Sequence, residues 1–269
     1  MNDSERTGIS TDDAFAKGRA DGASVRLVLP RVPLRGRDGI RVGSSTGQSL
    51  EFHDYRDYLP GDDLRMVDWN VYARTDREVV KLHREEIAPM VDLFIDESPS
   101  MSEPEDAKAA ALRYLEGFLE SAAGESGCIV RRHSFLPGRP IDPRDLRPRS
   151  IRILASDLLF ADSPDAVTDV FSRDGASLSV IRLLTAWELR PKAGGAAECE
   201  DSETGEKREL RFDSATIDAY LANLERHTAA WTNALRRHGA SFASVEAEEL
   251  LAGRAVDALA RGGIVEGAR

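Results

Sequence analysis

The stretch Val91-Asp92-Leu93-Phe94-Ile95-Asp96-Glu97-Ser98-Pro99-Ser100-Met101 constrains the fold more than any other part of the chain. Apolar residues lead up to Asp96, and a carboxylate and two hydroxyls then follow at every second position. In extended backbone, side chains two residues apart point the same way, so Asp96, Ser98 and Ser100 converge. Three hard oxygen donors at the end of a buried strand suit Mg2+ or Mn2+, which favour oxygen in octahedral geometry and retain some water. Short Asp/Ser strings are also common in turns; the apolar strand before this one and the helix after it give it weight. That helix is predicted to open on Ser102-Glu103-Pro104-Glu105, a capping box with proline in the first turn. Ala107, Ala111, Tyr114, Leu115, Phe118, Leu119 and Ala122 follow at helical spacing. Strand, ligand loop and helix N-terminus in this order are how doubly wound folds seat a ligand at the carboxyl end of a strand.

The remaining pattern supports the same class. Strands are predicted at Cys128–Phe135, Ile151–Ala155, Ser177–Leu184 and Ser241–Val245. They alternate with helices at Pro164–Phe171, from Ser214 to a stop at Gly239, and from Ala247 to Ala260. The expectation is an α/β fold with a mostly parallel, Rossmann-like sheet flanked by helices. Residues 1–22 lack apolar periodicity and read as a disordered tail. Residues 23–88 read as a β-rich N-terminal module, with a short strand in Val25–Leu34, a Gly/Ser-rich loop over 36–49 and a strand over 78–87. Residues 89–269 form the main domain, interrupted by a polar hairpin insertion at 187–212.

A second informative stretch runs from Glu51 to Thr75. Asp54, Asp57, Asp62, Asp63 and Asp68 interleave with Arg56, Arg65 and Arg74 around several aromatics, and Pro60-Gly61 signals a turn. Bidentate Arg–carboxylate pairs would hold such a segment in one conformation. One reading is a structural salt-bridge network. The other is a recognition surface for another protein, made by Arg56, Asp62, Asp63, Arg65, Asp68, Trp69 and Arg74, with Trp69 and Tyr72 as anchors.

Asp96-x-Ser98-x-Ser100 resembles the metal-ion-dependent adhesion site of von Willebrand factor A domains. Phe52, Tyr55-Arg56, Tyr58, Pro60-Gly61-Asp62-Asp63, Arg65, Asp68-Trp69 and Ala73-Arg74 resemble the signature of the domain-of-unknown-function 58 family. In that family the signature precedes a von Willebrand factor A-like domain that begins Asp-x-Ser-x-Ser-Met, here Asp96 to Met101. The resemblance is read from about Gly36 to the last helix. It implies a von Willebrand factor A-like fold, a Mg2+ or Mn2+ site of Asp96, Ser98 and Ser100, and Asp157 as the later acidic ligand from a neighbouring strand. Without the resemblance, Asp157 reads as a turn or helix-cap residue. The resemblance also implies a non-enzymatic interaction module whose partner is a MoxR-type AAA+ ATPase, the pair maturing or remodelling a client protein. One departure stands out: no threonine lies between Thr75 and Thr168, where such a domain carries a Thr ligand. Asp142 and Asp145 are the substitutes that the shortened loop offers. Asp201-Ser202-Glu203-Thr204-Gly205-Glu206 resembles a hairpin turn of the family and reads as a solvated tip.

Composition narrows the function classes. A net charge of −11 argues against broad nucleic-acid binding and against adhesion to anionic membranes. No apolar run approaches the roughly 20 residues that cross a bilayer, and the polar, acidic start does not read as a secretory signal. Cys128 and Cys199 have no zinc spacing, so a reducing cytoplasmic setting is the simplest expectation. Neither a P-loop nor a Gly-x-Ser-x-Gly elbow is present. His53, His83, His133, His227 and His238 are scattered, with His133 alone near a strand end. A metal-dependent phosphoesterase is the alternative enzyme reading, short of a general base; a scaffold that binds no metal is the third.

Overall fold

The computed structural model describes residues 9–30, 50–85, 88–102, 107–202 and 205–267. The chain divides into two compact units, Met1–Pro33 together with Pro89–Arg269, and Leu34–Ala88. In chain order, the elements begin with α1 (Thr11–Gly22), β1 (Val25–Leu27), β2 (Leu50–Asp57), α2 (Trp69–Thr75) and β3 (Val79–Glu85). The next are β4 (Met90–Asp96), α3 (Pro99–Ser102), α4 (Ala107–Glu125), β5 (Ile129–Phe135), β6 (Ile151–Ser156) and α5 (Pro164–Phe171). Then come β7 (Ser177–Leu184), α6 (Ala186–Leu189), β8 (Gly195–Glu200), β9 (Lys207–Phe212) and α7 (Ser214–Arg237). The last are β10 (Ser241–Glu246), α8 (Ala247–Leu251), α9 (Val256–Arg261) and β11 (Val265–Gly267).

In the larger unit, five parallel strands lie in the order β10-β7-β6-β4-β5. The predicted α/β class is therefore present: a parallel sheet flanked by helices. β4 and β6 are buried almost throughout, as strands covered on both faces must be, which is why their sequences are apolar runs rather than alternations. Leu93, Ile95, Ile153 and Ile181 pack toward α4, α8 and α9 on one face. Phe94, Leu154 and Val180 pack with Phe171 and Trp231 of α5 and α7 on the other. Because β4 is followed in sequence by β5 on one side and flanked by β6 on the other, the strand order reverses between β4 and β6. In open α/β sheets the crevice at the carboxyl ends of such strands is where ligands sit.

Residues 11–22 are not a disordered tail. Ser10 caps α1 by accepting the Asp13 N–H at 3.1 Å, and the helix lies against α4 at backbone contact. A Cβ on Gly18 would stand 2.0 Å from the Tyr114 carbonyl oxygen, and one on Gly22 would stand 2.3 Å from that of Phe118. The Tyr114 hydroxyl donates to Asp21 at 2.6 Å. The helix lacks an apolar stripe because glycine backbone, rather than large side chains, makes this contact. The module boundary also moves. β1 pairs antiparallel with β11, burying Val25 and Leu27, so residues 23–33 belong to the larger unit. The predicted final helix is two helices, α8 and α9, separated at Gly253, whose φ of +76° no helix accommodates. Of the insertion predicted at 187–212, residues 187–189 belong to α6 and the hairpin proper is β8–β9. The predicted loop over 36–49 and most of the predicted cap at 102–105 lie outside the described residues.

His133 belongs to the core and not to the strand-end crevice. Its Nε2 lies 3.0 Å from Asp92 Oδ1, its Nδ1 lies 3.3 Å from Asp145 Oδ1, and its ring stacks on Phe94. The fully buried Arg152 donates to the carbonyls of Arg147 and Phe171 at 2.7 and 2.9 Å. In the smaller unit, β2 and β3 form an antiparallel pair with a register slip between Phe52 and Asp54. Gly61, at φ +109°, turns the chain into a short 3-10 segment and then α2. Among the described residues no helix is long and apolar enough to cross a membrane.

Candidate functional site

The alternation of Asp96, Ser98 and Ser100 brings all three to the end of β4, although the extended backbone stops at Asp96 and α3 begins at Pro99. A turn with the Asp96 side chain at its centre replaces the predicted strand geometry. Asp96 Oδ1 accepts the Ser98 N–H at 2.9 Å, while Oδ2 accepts the hydroxyl of Ser156 from β6. Ser98 Oγ lies 3.2 Å from Ser100 Oγ, and Ser100 donates to Asp157 Oδ2 at 3.3 Å. All four residues named from the sequence therefore join one hydrogen-bonded cluster at the reversal between β4 and β6. Asp157 Oδ1 also accepts the Leu159 N–H at 2.9 Å, beside Leu158 at φ +61°. That turn aims the Asp157 carboxylate back at Ser100. Asp96, Ser98 and Asp157 are buried and Ser100 is half-buried, so solvent reaches the cluster from the Ser100 side.

A cation is already part of the cluster. The ammonium of Lys108, on α4, donates to Asp157 Oδ2 at 3.0 Å and to Glu188 Oε1 at 2.6 Å, with its side chain 3% exposed. Glu188 is held in turn by the capping box of α6, its Oε2 accepting the Thr185 N–H at 2.7 Å. Burial would pull the Lys108 amine down, but the charges of Asp157 and Glu188 outweigh it and hold the amine above its ordinary value. Burial pushes the Asp96 carboxyl above the usual range, against lowering hydrogen bonds from Ser156 and Ser98, with the charge of Asp157 adding to the rise.

A hard divalent ion would find a suitable donor set in Asp96, Ser98 and Ser100. Asp157 stands beside that set with its charge already matched. Among the described residues no three His, Cys, Asp or Glu side chains gather as a metal-binding group. Asp142 and Asp145 do not fill the gap left by the absent threonine: Asp142 pairs with Arg144, and Asp145 faces His133. Ser156, Lys108, Thr185 and Glu188 escaped the sequence reading. Two signals were there to find them: Lys108 lies on the apolar stripe of Ala111 and Leu115, and Thr185-Ala186-Trp187-Glu188 is a capping-box pattern.

The smaller unit uses most of its nominated residues internally. Arg56 forms a two-pronged pair with Asp62, both contacts at 2.6 Å, and Asp62 also accepts the Leu59 N–H at 2.9 Å. Asp63 pairs with Arg65 at 3.0 Å. Asp68 caps α2 through the N–H groups of Asn70 and Val71 and receives the Tyr55 hydroxyl at 3.0 Å. Trp69 and Tyr72 remain exposed in an edge-to-face pair, and Arg74 is exposed near them. The Arg56 guanidinium, with the Leu59 N–H, lowers the Asp62 carboxyl to about 2. A depressed folded value stabilises above the unfolded value near 3.8 and is lost as pH falls toward about 2. In an NMR titration of the side-chain carboxyl, Arg56→Gln moves the Asp62 midpoint up toward 3.8; an unmoved midpoint would show that the pair does not set it.

A search of curated proteins finds no match. The "Crystal structure of conserved hypothetical protein BatB from Bacteroides thetaiotaomicron" aligns at 11% identity, covering 65% of this chain and 98% of its own. Its TM-score of 0.27 is too low to bear on the fold. Residues 54–110 match the family described as "Protein of unknown function DUF58", a span that joins the Arg/Asp-rich module to Asp96-x-Ser98-x-Ser100 and the start of α4. It is shorter than the reach read from the sequence, Gly36 to the last helix. The family that the sequence resembles is thus the one it matches over residues 54–110: protein of unknown function DUF58.

Proposed function

We propose that the chain is a non-enzymatic protein-interaction module that engages a partner through the hydroxyl–carboxylate cluster at the carboxyl edge of its sheet. The observation that supports this best is the meeting of Asp96, Ser98, Ser100 and Asp157 where the strand order reverses. Asp96, Ser98 and Ser100 would hold Mg2+ or Mn2+, and the ion would offer a remaining position to a partner's carboxylate. Following the family resemblance, that partner is a MoxR-type AAA+ ATPase, and the pair acts in a chaperone-like way on a client protein in the cytoplasm. The exposed Trp69, Tyr72 and Arg74 give the module a second contact surface. A phosphoesterase has less support. The buried carboxylates are tied to Ser156, Ser98 and Lys108, and no acid, base and oxyanion donor face a common point in the cluster.

Pull-down of the cognate ATPase with and without EDTA is the test. Binding is retained with Mg2+, lost with EDTA and lost in Asp96→Ala; equal binding in all three refutes docking through the cluster. Lys108 favours a second reading, in which its ammonium stands in for the ion and docking needs no metal. EDTA-resistant binding that is lost in Asp96→Ala selects that version.

A further inference from the structure

The α7 face of the sheet carries a further buried cation besides Lys108 and Arg152, and its surroundings contrast with those of Lys108. Arg182 on β7 is 5% exposed. Its Nε donates to Ser244 Oγ at 3.1 Å and its Nη1 to Thr228 Oγ1 at 2.6 Å, while its guanidinium carbon lies 5.8 Å from the Phe242 ring centre. All of these partners are neutral. Among the described residues no carboxylate pairs with it, and Nη2, which makes no hydrogen bond to the protein, is not a buried atom and so is open to the solvent side. Burial pulls its pKa below the ordinary arginine value. A guanidinium largely withdrawn from water without a counter-charge favours an anion at its open edge.

The space for one adjoins it. An open groove of about 470 Å³ runs along α7, lined by Arg182, Leu189, Leu221, Leu224, Thr228 and Thr232. Glu225 borders it without forming an ion pair with Arg182. The volume lies in the range of small-ligand sites, and the lining is of the usual kind, mostly apolar with a few polar groups that fix orientation. Leu221, 37% exposed at the mouth, leaves an aliphatic wall facing water.

We propose that this groove binds a medium-chain aliphatic monocarboxylate, its carboxylate on Arg182 and its chain along Leu189, Leu221 and Leu224; the Thr228 and Thr232 hydroxyls, which donate to the carbonyls of Leu224 and Thr228, hold the helix wall and leave the guanidinium as the anion's donor. The charge of Arg182 selects the carboxylate, and the leucines select a hydrocarbon rather than a polar body. The site shares no residue with the Asp96 cluster and needs no metal there.

Calorimetric titration of the full chain with octanoate tests it. Wild type binds one octanoate saturably, whereas octanol and octylamine bind about tenfold more weakly or not at all. Arg182→Met reduces octanoate affinity about tenfold or more. Because that variant also loses the Thr228 and Ser244 contacts, Ala229→Trp serves as the second arm. Residue 229 is exposed on the groove wall and makes no hydrogen bond to Arg182, and the indole fills the space, abolishing binding without disturbing the sheet. Absence of saturable binding at millimolar octanoate overturns the proposal, as does unchanged binding in Ala229→Trp. Binding of a peptide with a free C-terminal leucine, but not of octanoate, overturns it in favour of a protein terminus.

Discussion

Replacing Lys108 with methionine lowers the stability of the larger unit by about 3–5 kcal/mol, the range for removing one partner from a buried charge group. Asp157 and Glu188 would then face each other with little water to screen them, both having lost the ammonium between them. Exposed pairs give the contrast: Arg144–Asp142 has its arginine 89% exposed, and removing it changes stability by at most about 1 kcal/mol. Urea denaturation of both variants checks the pair of values. A second readout concerns the ion. In wild type the tethered ammonium sits where it repels a divalent cation at Asp157, so Mg2+ or Mn2+ raises the melting temperature little. In Lys108→Met the same additions raise it more, because an ion that binds only the folded state stabilises it by mass action. If Lys108→Met melts like wild type and gains no metal response, the ammonium neither supports the cluster nor competes there.

Gly18→Val separates α1 from α4. The added Cβ would meet the Tyr114 carbonyl oxygen at 2.0 Å and the Phe118 nitrogen at 3.1 Å, both backbone atoms that cannot swing aside. Overpacking typically costs about 1–3 kcal/mol; with backbone as the obstacle, the upper end is expected. The helices separate instead of adjusting, so the Tyr114–Asp21 hydrogen bond is lost too. Amide exchange in α1 accelerates strongly while β4 and β6 stay protected, since they make their core contacts without α1. Gly124→Val, at a position with nothing within 4 Å, is the matched control and changes little beyond the shared β-branched penalty in a helix. Equal protection of α1 in wild type and Gly18→Val would show that the close approach is not a constraint.

These two residues also mark where sequence reading succeeds and where it stops. The parallel sheet was legible because β4, β6 and β7 are apolar runs of strand length, and because Asp96, Ser98 and Ser100 keep a period of two. Asp157 came only with the family resemblance, since an Asp after a strand is ordinarily a turn residue. α1 was missed because glycines make its contact, and glycine leaves no periodic apolar trace. Lys108 was not singled out, although its register with Ala111 and Leu115 placed it inside. The long-range pairing of Lys108 with Glu188, eighty residues away, has no local signal at all. In the Arg/Asp-rich module, the charge pattern did indicate internal pairing, as Arg56–Asp62 and Asp63–Arg65 bear out, but it could not say that Trp69 would remain exposed.

The pairing of β1 with β11 has a consequence for how the protein comes into being. Val25 and Leu27 find their partners in Gly267 and Val265, respectively, which leave the ribosome last among the described strands. α1 can dock earlier, once α4 has been made, yet the ribbon that follows it stays open until β11 has been made. Such distant contacts are slow to form, and β1, which also packs on α4, lacks its strand partner in the meantime. A nascent chain halted before residue 265 would therefore show protease sensitivity near Val25 that a single further stretch of translation removes.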